Sequence, residues 1–186
     1  ELIEREAPLS PTRTAHLIRQ VAAGLGAAHR LGFVHRDVKP ANIMFRDAHT
    51  PVLTDFGIAK QQDATATRLT QTGMLVGTPT YMSPEQINAL EVDGRSDLYS
   101  LGVLFYELLT GAPPFVADTP IAVLMAHLTT PAPPLPPQFA EDAMHLAVTQ
   151  WQAVQPSPAA DEECSVVVVG LARQVAPQAV STQRLQ

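Results

Sequence analysis

The chain has 186 residues, enough for one domain with a substantial core, and its 46% hydrophobic and 16% charged content argues against wholesale disorder. A net charge of −6 argues against a broadly basic face, so no nucleic-acid partner is expected. The single cysteine, Cys164, excludes an intrachain disulfide and a stapled secreted scaffold.

Glu1 to Glu6 carries no Met, basic n-region or apolar h-region, so the start reads neither as a signal peptide nor as a natural N-terminus. Pro8, Ser10 and Pro11 then break the chain, with Ser10 placed as a helix N-cap and Pro11 at the first helical position. Leu17, Ile18, Val21, Ala22, Leu25 and Ala28 recur at three- and four-residue steps, which predicts an amphipathic helix ending near Gly32. Short extended segments are predicted at Phe33 to His35, Ile43 to Phe45 and Val52 to Thr54, separated by Pro40 and the polar stretch Arg46 to Pro51.

Gln61 to Thr72 has no apolar period and reads as a mobile loop. A second helix is predicted from Ser96 to Leu109, apolar nearly all round and therefore central, stopped by Gly111 and the Pro113-Pro114 pair. Pro120 opens a shorter helix through Leu128. Pro131 to Pro137, with five prolines in seven residues, reads as an extended linker. There is no internal repeat. The apolar run Val166 to Val169 is too short to span a bilayer, so this segment is expected to make no membrane contact. It is expected to lie in the cytoplasm, with a membrane anchor elsewhere in the full-length protein left open.

Chemistry is concentrated in three motifs. His35-Arg36-Asp37-Val38-Lys39-Pro40-Ala41-Asn42 comes first, and thirteen residues beyond Asn42 stands Asp55-Phe56-Gly57. Gly77-Thr78-Pro79-Thr80-Tyr81-Met82-Ser83-Pro84-Glu85 follows. Singly, each reads as an ordinary turn or loop. In this order and spacing they resemble the catalytic-loop, metal-binding and activation-segment signatures of protein kinases. Lys39 resembles the serine/threonine-specific members. Lys39-Pro40-Ala41-Asn42 and Ser83-Pro84-Glu85-Gln86 resemble the bacterial, Hanks-type branch.

The resemblance implies a mainly α fold, the kinase C-terminal lobe with short catalytic-loop and metal-loop strands, and with the N-terminal lobe absent. It implies ATP and Mg²⁺ as cofactors, Mn²⁺ being the alternative ion, and proteins as substrates. Phosphoryl transfer asks for position and electrostatics more than covalent help. Asp37 is then the base for the acceptor hydroxyl, and Lys39 neutralises the transferring phosphoryl. Asn42 and Asp55 supply the hard oxygen ligands that Mg²⁺ takes. Met44 resembles the floor of the adenine pocket, or is plain core. His35 and Phe56 resemble members of the spine between the lobes, and Asp97 the helix aspartate that accepts catalytic-loop amides; its plainer reading is an N-terminal helix acid. Arg36 resembles the arginine that receives an activation-segment phosphate, for which Thr70 and Thr72 are the favoured sites. Thr78 is expected to contact Asp37 and the substrate.

Residues 1–137 are assigned to a partial kinase domain and 138–186 to a divergent tail, either genuinely diverged, poorly ordered or frameshifted. Family members pair the equivalent of Glu85 with an arginine, yet residues 139–172 contain none. The sequence also shows no Gly-rich loop and no lysine-bearing strand, so an N-terminal lobe is expected upstream and the chain alone is expected to be inactive. The alternative is a truncated, non-catalytic lobe that binds proteins through Phe115 to Leu128.

Overall fold

The computed structural model describes residues 2–56, 79–136 and 139. They form a mostly helical body with one small sheet: α1 (Leu2–Glu6), α2 (Pro11–Arg30), β1 (Ile43–Asp47), β2 (Thr50–Leu53), α3 (Pro84–Ile87), α4 (Gly94–Thr110) and α5 (Pro120–Thr129). Single 3₁₀ turns stand at Pro40–Asn42 and Pro79–Tyr81.

Local signals set most of the boundaries. Ser10 caps α2, its side chain accepting the Arg13 amide, with Pro11 beginning the helix. α4 begins a little earlier than the apolar pattern indicates, because Asp93 caps it by accepting the Arg95 amide at 2.8 Å. Gly111 ends it in the left-handed conformation (φ +83°), where only glycine sits without strain, and donates its N–H to the Glu107 carbonyl. Thr119 caps α5.

Two expectations need correction. Phe33 to His35 forms no strand: Phe33 donates its amide to the Ala28 carbonyl, and His35 donates its own to a side chain, Asp97. Those donors are spent before a ladder can use them. The polar stretch Arg46 to Pro51 is also less of a gap than expected, since β1 runs on to Asp47 and β2 begins at Thr50. β1 and β2 form one antiparallel hairpin, pairing Ile43 with Leu53, Met44 with Val52 and Phe45 with Pro51, with an irregularity before Asp47 meets Thr50. The His49 amide donates to Asp47 at 2.9 Å and, as the main cause, holds that carboxyl below its ordinary range.

The core lies between α2 and α4. Leu17, Ile18, Val21, Ala22 and Leu25 on one helix meet Leu101, Leu104 and Leu108 on the other, with Leu9 and Val38 closing the ends. Val38 belongs to the first of the three motifs, so that loop is pinned by an apolar side chain driven into the core. α4 is less uniformly apolar than expected, since its N-terminal half buries Ser96, Asp97 and Ser100. The proline-rich stretch has no regular structure through residue 136, yet Leu135 is buried against Leu109, so it is fastened to α4. No described helix is long and apolar enough to cross a membrane. The loop expected at Gln61 to Thr72, and the tail 138–186 apart from Phe139, lie outside the described residues.

Leu25 is 0% exposed at the centre of this interface. Leu25→Ala is expected to cost about 2–5 kcal/mol, read as a lower midpoint in urea denaturation with the slope unchanged.

Candidate active site

The site is built on the stretch between α2 and β1. Its first fixed point is Asp97, 1% exposed in the first turn of α4. Asp97 Oδ2 accepts the His35 amide at 2.8 Å, and Oδ1 accepts the Arg36 amide at 2.7 Å. Arg36 adopts a left-handed backbone (φ +64°), a conformation costing about 1–2 kcal/mol for such a residue. Three contacts hold it there: the two Asp97 bonds and a bond from Gln86 Nε2 to the Arg36 carbonyl at 2.8 Å. The turn at Arg36 lets the chain pass from a fully buried His35 to a half-buried Asp37.

The His35 ring joins the first motif to the second. Its Nε2 lies 2.9 Å from the Thr54 carbonyl, and the Asp37 amide donates to its Nδ1 at 3.3 Å. One neutral tautomer, with the proton on Nε2, satisfies both contacts. The ring also packs on Phe56, with centroids 4.6 Å apart.

Asp37, Lys39 and Asn42 form one cluster. Lys39 Nζ lies 3.0 Å from Asp37 Oδ2. Asn42 Nδ2 donates to the Asp37 carbonyl at 2.8 Å and to Asp37 Oδ2 at 3.1 Å. The 3₁₀ turn Pro40–Asn42 folds the asparagine back onto the aspartate. The Asn42 carbonyl accepts the Thr54 amide at 2.9 Å, which extends the hairpin and brings Asp55 beside the loop. Asp55 is exposed, with φ at +56°.

Among the described residues the donor set fits a hard divalent ion. The Asn42 amide is oriented through its nitrogen, which leaves its oxygen for a ligand, and the Asp55 carboxylate is open to solvent. No group of three or more His, Cys, Asp or Glu side chains gathers there, as suits an ion that relies on phosphates and waters for its other ligands.

Met44 is 61% exposed, which excludes the plain-core reading. With Lys39, Pro40, Ala41, Tyr81 and Glu107 it lines a cleft of about 840 Å³ whose floor is the α2–α4 core. Tyr81 donates its hydroxyl to Glu107. Burial, then this bond, raises the Tyr81 pKa; burial also raises that of Glu107, with the bond opposing.

Glu85 is half-buried and accepts a hydrogen bond from the Ser96 hydroxyl. Among the described residues no cation lies within ion-pair distance of it, and the Ser96 hydroxyl is its donor. Thr70, Thr72 and Thr78 lie outside the described residues.

Three residues of the site escaped the sequence reading. Gln86 forms a capping box with Ser83 while it holds the Arg36 carbonyl; the Ser-x-x-Gln spacing was its available signal. His29 Nε2 lies 2.7 Å from Asp97 Oδ2, both side chains nearly inaccessible. Gly94 makes room for it, since a Cβ there would stand 2.8 Å from His29 Nδ1. Nothing local to residue 29 or 94 announces that contact.

The model of the protein kinase domain family matches residues 1–162. The chain belongs to the protein kinase family. It is 43% identical to serine/threonine-protein kinase PknB of Mycolicibacterium smegmatis over 135 residues, covering 72% of this chain and 22% of that protein. It is 40% identical to PknB of Mycobacterium tuberculosis over 144 residues, covering 77% and 23%. With PknL of Mycobacterium tuberculosis it shares 43% over 148 residues, covering 76% and 37%. The chain thus spans between about a fifth and two fifths of the length of these relatives. These relatives are bacterial serine/threonine kinases, the branch that Lys39 together with the Lys39-Pro40-Ala41-Asn42 and Ser83-Pro84-Glu85-Gln86 stretches indicated.

Asp97→Ala strands two backbone amides and the His29 ring. At about 1–3 kcal/mol for each buried group left unsatisfied, the expected loss in chemical denaturation is about 3 kcal/mol or more. A loss under about 1 kcal/mol contradicts the anchoring role.

Proposed function

We propose that this chain is the C-terminal lobe of a cytoplasmic serine/threonine protein kinase, where the acceptor hydroxyl of a protein meets the γ-phosphoryl of ATP. The observation that carries the reading is the Asp37–Lys39–Asn42 cluster, closed by contacts of 2.8–3.1 Å on a loop anchored to Asp97. A binding scaffold has no need of that arrangement.

In this reading Asp37 Oδ accepts the proton of the incoming Ser or Thr hydroxyl as its oxygen bonds to the γ-phosphorus and the bond to ADP breaks. Lys39, already 3.0 Å from Asp37, brings its charge to the transferring phosphoryl oxygens. Asn42 Oδ1 and Asp55 would hold Mg²⁺, which when bound would offset the charge of the nucleotide phosphates. Met44, exposed on β1, offers an apolar surface to the adenine. Arg36 has no carboxylate partner among the described residues, which suits a guanidinium kept for a phosphate on Thr70 or Thr72. Thr78 positions the substrate beside Asp37.

The 186 residues carry no glycine-rich cover for the phosphates and no clamp lysine from a preceding strand. On its own the chain is therefore expected to transfer no phosphate. Joined behind the N-terminal lobe of the Mycolicibacterium smegmatis PknB relative, it is expected to label Ser/Thr peptides from radiolabelled ATP in a Mg²⁺-dependent way. Asp37→Ala should lower that rate by about 10²–10⁴-fold. Turnover by the isolated chain that Asp37→Ala abolishes contradicts the incapacity. A joined protein that folds and binds nucleotide without transfer favours the binding module instead.

A further inference from the structure

Outside the catalytic cluster, the described residues contain one buried imidazole that the functional reading does not use. His127 lies on the inner face of α5 and is 6% exposed. Its Nδ1 is 2.8 Å from the Tyr99 hydroxyl of α4, and its ring meets Phe115 edge-on at 4.7 Å between centroids. Nε2 is fully buried and has no hydrogen-bond partner. The Thr80 backbone carbonyl, in the turn Pro79–Tyr81, faces the ring without completing a bond to Nε2. α5 packs directly on that turn.

We propose that His127 is a proton-operated latch, fastening α5 to α4 through Tyr99 while its buried ring is neutral, and letting α5 part from the Pro79–Tyr81 turn when the ring takes up a proton.

The tautomer follows from the neighbours. Burial, and then the charge of Glu85 on α3, keeps Tyr99 a protonated phenol far above neutral pH. As a phenol it donates to Nδ1, which places the ring proton on Nε2, toward the Thr80 carbonyl. The opposite tautomer would set a nitrogen lone pair against that carbonyl oxygen.

Among the described residues a second proton finds no ion-pair partner at the ring. From α4 the ring meets a phenol, from the turn a carbonyl, and from Phe115 an apolar ring, while the Glu85 carboxylate of α3 lies near enough to raise the Tyr99 pKa. Adding the proton also removes the Nδ1 lone pair that accepts from Tyr99. Burial accordingly depresses the His127 pKa below its ordinary value, with the Thr80 carbonyl opposing in part. The unfolded chain therefore binds this proton more readily than the folded one. The ring's contribution to stability is complete above about pH 6.5 and is lost as pH falls through the lower folded-state value.

The turn is also gripped from the other side, by Ser100 Oγ donating to the Tyr81 carbonyl at 2.6 Å. It continues the Gly77-Thr78-Pro79 motif, so on the functional reading above the latch governs a segment that meets the protein substrate. Only that consequence rests on the functional reading, because the test involves no phosphoryl transfer.

The test is a pH titration of the whole chain between pH 5 and 8 by NMR, following the imidazole resonances and the backbone amides. The His127 midpoint is expected below 6.5, with the Thr80, Tyr81 and Met82 amides moving at that same midpoint while amides of α2 stay still. In His127→Gln those three amides are expected to stay still as well. A midpoint at or above 6.5 overturns the latch. So do turn amides that ignore the His127 titration, or that move identically in His127→Gln. If that variant does not fold, the wild-type titration decides alone, since both the midpoint and the coupling are read there.

Discussion

A buried carboxylate taking hydrogen bonds from three directions is the constraint on which the rest of the site hangs. Asp97 holds the amides of His35 and Arg36 and the His29 ring, at 2.7–2.8 Å, from a position 1% exposed. Removing a charge from water is costly, and hydrogen bonds to a charged acceptor return about 1.5–3 kcal/mol each only when the geometry is good. The first turn of α4 adds a favourable dipole. The contacts offset the burial together, and the Arg36 backbone, strained by its positive φ, is held in place by the same set. The rest of the loop follows from that turn: Val38 goes into the core, Lys39 reaches back to Asp37, and Asn42 donates to Asp37.

A second layer of polar contacts ties the activation-segment end to the same helix. Ser96 meets Glu85, Ser100 meets the Tyr81 carbonyl, and Tyr99 meets His127 on α5. α4 is thus less an apolar rod than a helix with two faces. Leu101, Leu104 and Leu108 bury against α2, while a polar seam near its N-terminal end organises the loops. This explains how one helix both builds the core and positions the loops. It also explains how Glu85 sits half-buried without a cation among the described residues, since a hydroxyl donor from the next helix meets it.

How much of this was legible in the sequence depends on the range of the interaction. Ser10 with Pro11, Gly111, and the three- and four-residue spacing from Leu17 to Ala28 are local codes, and each marks the element it marks in the fold. The catalytic cluster was legible because its members share one short motif. The conformation of Phe33 to His35 was not, because its decisive acceptor lies 62 positions away in Asp97. Gln86 on the Arg36 carbonyl and His29 on Asp97 act across 50 and 68 positions, and no period or spacing encodes such a contact. Leu135 was hidden for a different reason: proline composition describes the backbone of that stretch and says nothing of the one side chain that enters the core.

Asp97 ties the His35–Asn42 loop to the same helix that forms the core. Native-state hydrogen exchange of the His35 and Arg36 amides measures this directly, because both donate to that carboxylate. If Asp97 anchors the loop, these two amides exchange only through global unfolding, at the free energy found for core amides of α2 such as Leu25. Exchange of either amide through a local opening far below that free energy contradicts the account.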